Sequence, residues 1–187
     1  MRIIGGRFKG KKILQPKNKQ TRPLKDLTKE SIFNILNHSN KFKISVENSI
    51  VLDLFSGVGS FGLECLSRGA RHVTFVENYS GVLPILKNNL NNLNIIEKYE
   101  IVEEDLMSNF CIKKIHKKFN IIFLDPPYKE KRLPNIIDDI FQEKILNKNG
   151  VIVIHRHKKE NDEFSKNFKI LDTKKYGISK ILFGTLK

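Results

Sequence analysis

From residue 49 onward the chain alternates short apolar runs with amphipathic helical patterns, and this alternation restricts the available folds more than any other feature. The stretches "SIVLDLF", "HVTFVE", "YEIVEED", "NIIFLD" and "GVIVIHR" read as strands. Between them, "SFGLECLSRGA", closed by Gly69, "SGVLPILKNNLNNL", with Pro84 near its first turn, and "LPNIIDDIFQEKIL" read as helices. Strand and helix taken in turn predict an α/β fold with a doubly wound, mostly parallel sheet covered on both faces. "FKILDTKKY" and "SKILFGTL", parted by Gly177, add an antiparallel hairpin at one edge and bring the sheet to seven strands.

Ahead of this core, "RIIGGRFKGKKIL" predicts a small β-hairpin extension turning on its glycines, followed by an exposed connection, "QPKNKQTRP". A helix then starts from Thr28 as N-cap, with Ile32, Phe33, Ile35 and Leu36 as its apolar face. The chain divides into a basic arm, residues 1–25, and a domain, residues 26–187, large enough to bury a core without staples. Cys65 and Cys111 are far apart and lack metal-site spacing, which predicts a reduced, cytoplasmic protein with no structural metal. No apolar run approaches a membrane span, so no membrane partner is expected.

The net charge of +14 matters through its distribution, because lysine is abundant along the whole chain. Residues 1–30 carry ten Lys and Arg against Asp26 and Glu30, whereas residues 51–110 carry four against eight acids. A basic arm beside an acidic middle fits a protein that grips a polyanion with one surface and another ligand elsewhere. A solvated basic face is the alternative.

The chemistry-bearing motifs stand at the carboxyl ends of predicted strands, where open α/β sheets bind ligands. In "DLFSGVGSFGLE", Gly57, Gly59 and Gly62 form a glycine turn from strand to helix, where a ligand can approach the backbone. Glu77 ends the next strand and suits the two hydroxyls of a ribose. Asp53 and Asp105 end two further strands; such an acidic rim disfavours a pyrophosphate and favours a cationic, donor-rich ligand. S-adenosylmethionine meets that description.

In "NIIFLDPPYKE" an acid ends an apolar strand and two prolines stiffen the adjoining loop. The Asp125 carboxylate and the Pro126 carbonyl can accept both N–H bonds of an exocyclic amine, whose lone pair is otherwise delocalised into its ring. Asp125, or water beside it, can then take the released proton. Tyr128 can stack on the base, which must be flipped out or unpaired to be reached. This loop alone serves adenine N6, in RNA or DNA, or cytosine N4 as well as guanine N2. A nicotinamide-dependent oxidoreductase would leave the loop unused, and a non-catalytic RNA-binding protein would leave the carboxylates unused.

"FLDPPY" with "DLFSGVGSFGLE" resembles the class I S-adenosylmethionine-dependent methyltransferases that modify exocyclic amines. "RIIGGRFKGKKI", "TRPLKDLTKESIFNIL" and "LDLFSGVGSFGLECLSRGA" narrow the resemblance to the RsmD family, which methylates a guanine N2 amine in small-subunit ribosomal RNA. The resemblance implies a Rossmann-like methyltransferase sheet. It implies cofactor contacts from the glycine loop (Ser56, Gly57, Gly59), from Glu77 with its neighbour Asn78, and from Asp105 and Leu106 in "EDL". Catalysis falls to Asp125, Pro126, Pro127 and Tyr128. RNA is expected to engage Arg2, Arg7, Lys9, Lys11, Lys12 and Arg22, as naked small-subunit RNA or as its assembling particle, on a monomeric enzyme. "VIVIHRHKK" departs from the family pattern, which implies a carboxylate at or near His155; the basic residues there are expected to alter substrate contacts or add phosphate affinity.

Overall fold

A computed structural model of the chain describes residues 1–16, 24–95, 97–106 and 112–187. Its sheet has seven strands: β1 (Ile50–Leu54), β2 (His72–Val76), β3 (Tyr99–Val102), β4 (Phe119–Leu124), β5 (Leu146–His157), β6 (Phe168–Tyr176) and β7 (Ser179–Leu186). They lie in the order β3-β2-β1-β4-β5-β7-β6. The first five are parallel, and β7 runs antiparallel between β5 and β6. Winding reverses between β1 and β4, so the loops after these two strands open the crevice in which such sheets hold ligands.

Four helices cover the sheet: α1 (Asp26–His38), α2 (Ser60–Ser67), α3 (Leu83–Asn91) and α4 (Leu133–Gln142). Alternation along each strand sorts the apolar side chains to two faces. Val51, Ile121, Phe123 and Val153 pack with Phe33 of α1, Phe61 of α2 and Leu86 of α3. Leu52, Leu54, Ile122, Leu124, Ile152 and Ile154 pack with Ile136, Ile137 and Ile140 of α4. Phe61 stacks on Phe123 with ring centroids 4.0 Å apart. Each fully buried side chain of this size contributes about 1.5–3 kcal/mol, so both faces oppose a one-residue slip that would exchange them.

Two local expectations are corrected. Thr28 is not the N-cap: α1 begins at Asp26, after Lys25, and Thr28 is buried within the first turn, where the Asp26 carboxylate suits the positive helix end. The last helix stops at Gln142, before a left-handed Lys144, and "IL" passes into β5. The N-terminal segment does form a small hairpin: Arg2 pairs antiparallel with Lys12, the Ile3 and Ile13 N–H groups donate to the Lys11 and Met1 carbonyls, and the chain turns at Gly6 and Gly10, which both have positive φ.

The N-terminal segment is fastened to the domain. Ile3 and Ile13 enter the core with α1 and α2. The Ile4 N–H donates to Glu64 Oε2 at 2.8 Å, and Lys29 Nζ donates to the Arg2 carbonyl at 2.7 Å. Lys29 and Glu64 are both fully buried and 3.5 Å apart; burial pushes the Lys29 ammonium below its usual range, against the pull of Glu64. No helix among the described residues is long and apolar enough to cross a membrane, and no cluster among them has the makings of a metal site.

Candidate active site

A cavity of about 630 Å³ opens beyond the carboxyl ends of the parallel strands. The glycine loop, Glu77, Asn78 and Asp105 form one wall, and Asp125 to Tyr128 with His155 form the other.

The glycine wall is built by backbone geometry. Phe55 takes a φ of 60°, a conformation that costs a bulky L-residue about 1–3 kcal/mol, and so turns the chain out of β1 towards the cavity. Gly57 follows at φ 54°; a Cβ there would meet nothing within 4 Å. Its N–H donates to Glu77 Oε2 at 2.8 Å, while Glu77 Oε1 accepts from the N–H groups of Asn78 and Tyr79. With three donors already on it, the carboxylate keeps about one lone pair, on Oε2, for a further donor. Ser56 Oγ is buried at the cavity and has no hydrogen-bond partner among the described residues. An orphaned hydroxyl at a cavity wall fits a site that receives a polar ligand.

The other motif glycines have a different task. A Cβ on Gly62 would come within 2.2 Å of the Phe75 ring, and one on Gly59 within 2.6 Å of Leu86 Cδ1. They let α2 and α3 close on the sheet. Asp53, expected on the acidic rim, lies beneath the loop at 1% exposure, its Oδ2 accepting the Gly62 N–H at 2.9 Å. Burial, and then the Asp125 and Glu77 carboxylates, push its carboxyl well above the usual range against that hydrogen bond. Asp53 supports the wall from behind. Gly59 and Leu106 likewise lie off the cavity surface, Leu106 in the core on the α4 side. Asp105 reaches the cavity.

On the second wall the Asp125 side chain is 23% exposed. His155 Nδ1 lies 2.8 Å from Asp125 Oδ1, and His155 Nε2 lies 2.9 Å from Ser179 Oγ. Its neighbour Arg156 is 1% exposed and donates to the carbonyls of Pro127 at 3.3 Å and Glu130 at 3.0 Å, and from Nε and Nη2 to the Asp162 carboxylate at 2.9 and 2.8 Å. Consecutive strand residues point to opposite faces, so β5 clasps the proline loop from both sides. The sequence assigns this basic pair to substrate or phosphate contacts; the structure spends it on holding the loop. Tyr128 lines the cavity, its ring edge-on to His157 with centroids 5.2 Å apart.

Arg2, Arg7, Lys9, Lys11 and Lys12 are all exposed, with Arg7 and Lys11 each 5.3 Å from the Phe8 ring centroid. The segment continues to Gln15 and Pro16 at the cavity rim, whereas Arg7 and Lys11 sit at the C-terminal ends of α2 and α3, on the carbonyls of Ser67 and Asn92. Arg22 and the rest of "TRP", like Cys111, lie outside the described residues.

Known proteins give this arrangement a class. The solved structure of Escherichia coli yhhF, described as a candidate methyltransferase, matches with a TM-score of 0.83 and 27% identity over 100% of this chain and 98% of its own. The fold is that of an α/β methyltransferase. Within that class, residues 1–185 match the family described as "Conserved hypothetical protein 95", and the chain belongs to it, the RsmD family. A Buchnera aphidicola relative named "Ribosomal RNA small subunit methyltransferase D" is 32% identical across 92% of this chain and 86% of its own. A Haemophilus influenzae relative of the same name is 31% identical across 95% and 90%.

Proposed function

We propose that this protein transfers a methyl group from S-adenosylmethionine to the exocyclic N2 amine of a guanine in small-subunit ribosomal RNA. The observation that carries the reading is the Asp125 carboxylate, fixed at the wall of a cavity whose opposite wall is the glycine loop and Glu77. The names of the Buchnera and Haemophilus relatives support the choice of RNA.

Ser56, Gly57, Glu77, Asn78 and Asp105 would hold the cofactor, whose sulfonium supplies an electrophilic methyl carbon. Glu77 offers its remaining Oε2 lone pair to a ribose hydroxyl, and the Gly57 backbone leaves room for close approach. Asp125 and the Pro126 carbonyl accept the two amine N–H bonds, which turns the nitrogen lone pair towards the methyl carbon. As the N–C bond forms and the C–S bond breaks, the surplus proton on nitrogen passes to Asp125 or to water beside it. The exposed cations of the arm engage phosphates, which fix the RNA without choosing the base.

Incubation with isotope-labelled S-adenosylmethionine and either naked small-subunit RNA or assembling particles, followed by nucleoside mass spectrometry, tests this reading. It predicts N2-methylguanosine. Label on another base, on ribose or on protein would refute it.

A further inference from the structure

Asp125, just past β4, and His155, near the carboxyl end of β5, stand at the same level on two neighbouring parallel strands. In the β4–β5 register Phe123 stands beside Val153 and Leu124 beside Ile154, so the next residue on each strand to face α1–α3 is Asp125 on one and His155 on the other. On the far side, β7 brings Ser179 to the same imidazole. His155 is 6% exposed and Ser179 is buried, so neither group is a mobile surface side chain.

We propose that His155 is a positioning residue for methyl transfer: its Nδ1–H holds Asp125 Oδ1 and thereby presents Oδ2 to the acceptor amine. The inference rests on the amine-methyltransferase reading above. An ionised carboxylate only accepts hydrogen bonds, so the ring nitrogen 2.8 Å from Asp125 must carry the proton. Nε2 is then an acceptor, and the Ser179 hydroxyl, free to rotate, donates to it at 2.9 Å. Asp125 thus sets the tautomer, and Ser179 satisfies the nitrogen left without a proton. With Oδ1 engaged by the imidazole, Oδ2 is the oxygen left for substrate.

The terminal torsion of an aspartate is broad and two-fold, so an unheld carboxylate exchanges its oxygens and tilts in its plane. A donor fixed by its own second partner removes that freedom. The carboxylate implied at this position by the family resemblance would instead set two like charges side by side. His155 sets an N–H donor beside the Asp125 carboxylate. A hydrogen bond to an ionised acceptor is about twice as strong as a neutral pair.

Two measurements on the full chain test the inference. Long-range proton–nitrogen NMR of histidine-labelled protein at neutral pH needs no RNA. It should show the ring signals that vanish in His155→Asn as the Nδ1–H tautomer, and an Nε2–H tautomer would overturn the proposal. The second is single-turnover methyl transfer, on whichever acceptor mass spectrometry identifies, with three variants. His155→Leu removes the donor and should slow transfer by about 100-fold, the penalty for a reacting group held out of place. His155→Asn sets an amide N–H at the Nδ1 position and should recover to within about threefold of wild type. His155→Gln reaches towards Ser179 instead and should be as slow as His155→Leu. Affinity for S-adenosylmethionine should be unchanged in all three. Equal rates for Asn and Gln, or a loss that lies in cofactor affinity, would overturn the proposal even if His155→Leu fails to fold. Absence of methyl transfer to guanine with the Nδ1–H tautomer present would refute the proposed substrate and leave the positioning role standing.

Discussion

Asp53 and Asp125 sit on adjacent strands and face the same side of the sheet, yet they do opposite things. Asp53 pairs in register with Phe123, two residues short of Asp125, a step of about 7 Å along a strand. That step separates a carboxylate buried under a helix, spent on the Gly62 N–H and pushed towards its neutral form, from one that stands at the cavity with an oxygen to spare. An acid at a strand end is therefore a support or a reagent according to its depth. The sequence displays the acid and hides the depth.

The sharpest way to break the comparison is to remove each acid. Asp125→Ala should lower the rate of methyl transfer by about 10²–10⁴-fold while cofactor affinity by calorimetry changes little. Intact turnover at saturation with lost cofactor binding would reverse the two roles. Asp53→Ala leaves the buried Gly62 N–H without its acceptor and should reduce stability to urea by about 1–3 kcal/mol. Unchanged stability with lost cofactor affinity would return Asp53 to the cavity rim.

Asp53→Asn sharpens the contrast through pH. In the unfolded chain Asp53 releases its proton near pH 4, whereas in the folded chain its raised pKa retains that proton to higher pH. The unfolded state thus binds fewer protons in that window, and the wild type loses stability as pH rises from about 4 to the folded pKa. Asparagine keeps an acceptor for Gly62 and does not titrate. The stability of Asp53→Asn relative to wild type should therefore grow over that window, as read by denaturation at several pH values; a flat difference would mean that Asp53 is not desolvated. The smallest effect belongs to the arm. Neutralising Lys9 or Lys12 should reduce the slope of log affinity for RNA against log salt by about one for each phosphate the arm no longer neutralises.

The sheet was legible because "IVLDL", "HVTFV" and "NIIFL" are strands buried on both faces, and such runs have few other homes. Helix ends were less so. Thr28 looked like a cap because capping side chains are common helix starters, but tertiary packing placed it inside α1. At the site, Glu77 and the proline loop could be read directly, while the buried Lys29–Glu64 pair and the Phe55 turn carry no local signature. His155 did have a signal. "IIFL" before Asp125 and "VIVI" before His155 are apolar runs of equal length, and pairing two parallel strands in step sets the acid and the imidazole side by side. That pairing is a property of the sheet, which is why the residue looked like a stray basic substitution when only its own strand was considered.

A crystal structure with S-adenosylmethionine bound tests the central claim most directly. The ribose is expected on Glu77, with the methyl carbon directed at the space in front of Asp125 and Pro126. A cofactor seated elsewhere, or seated in the cavity with its methyl carbon turned away from the proline loop, would contradict that claim.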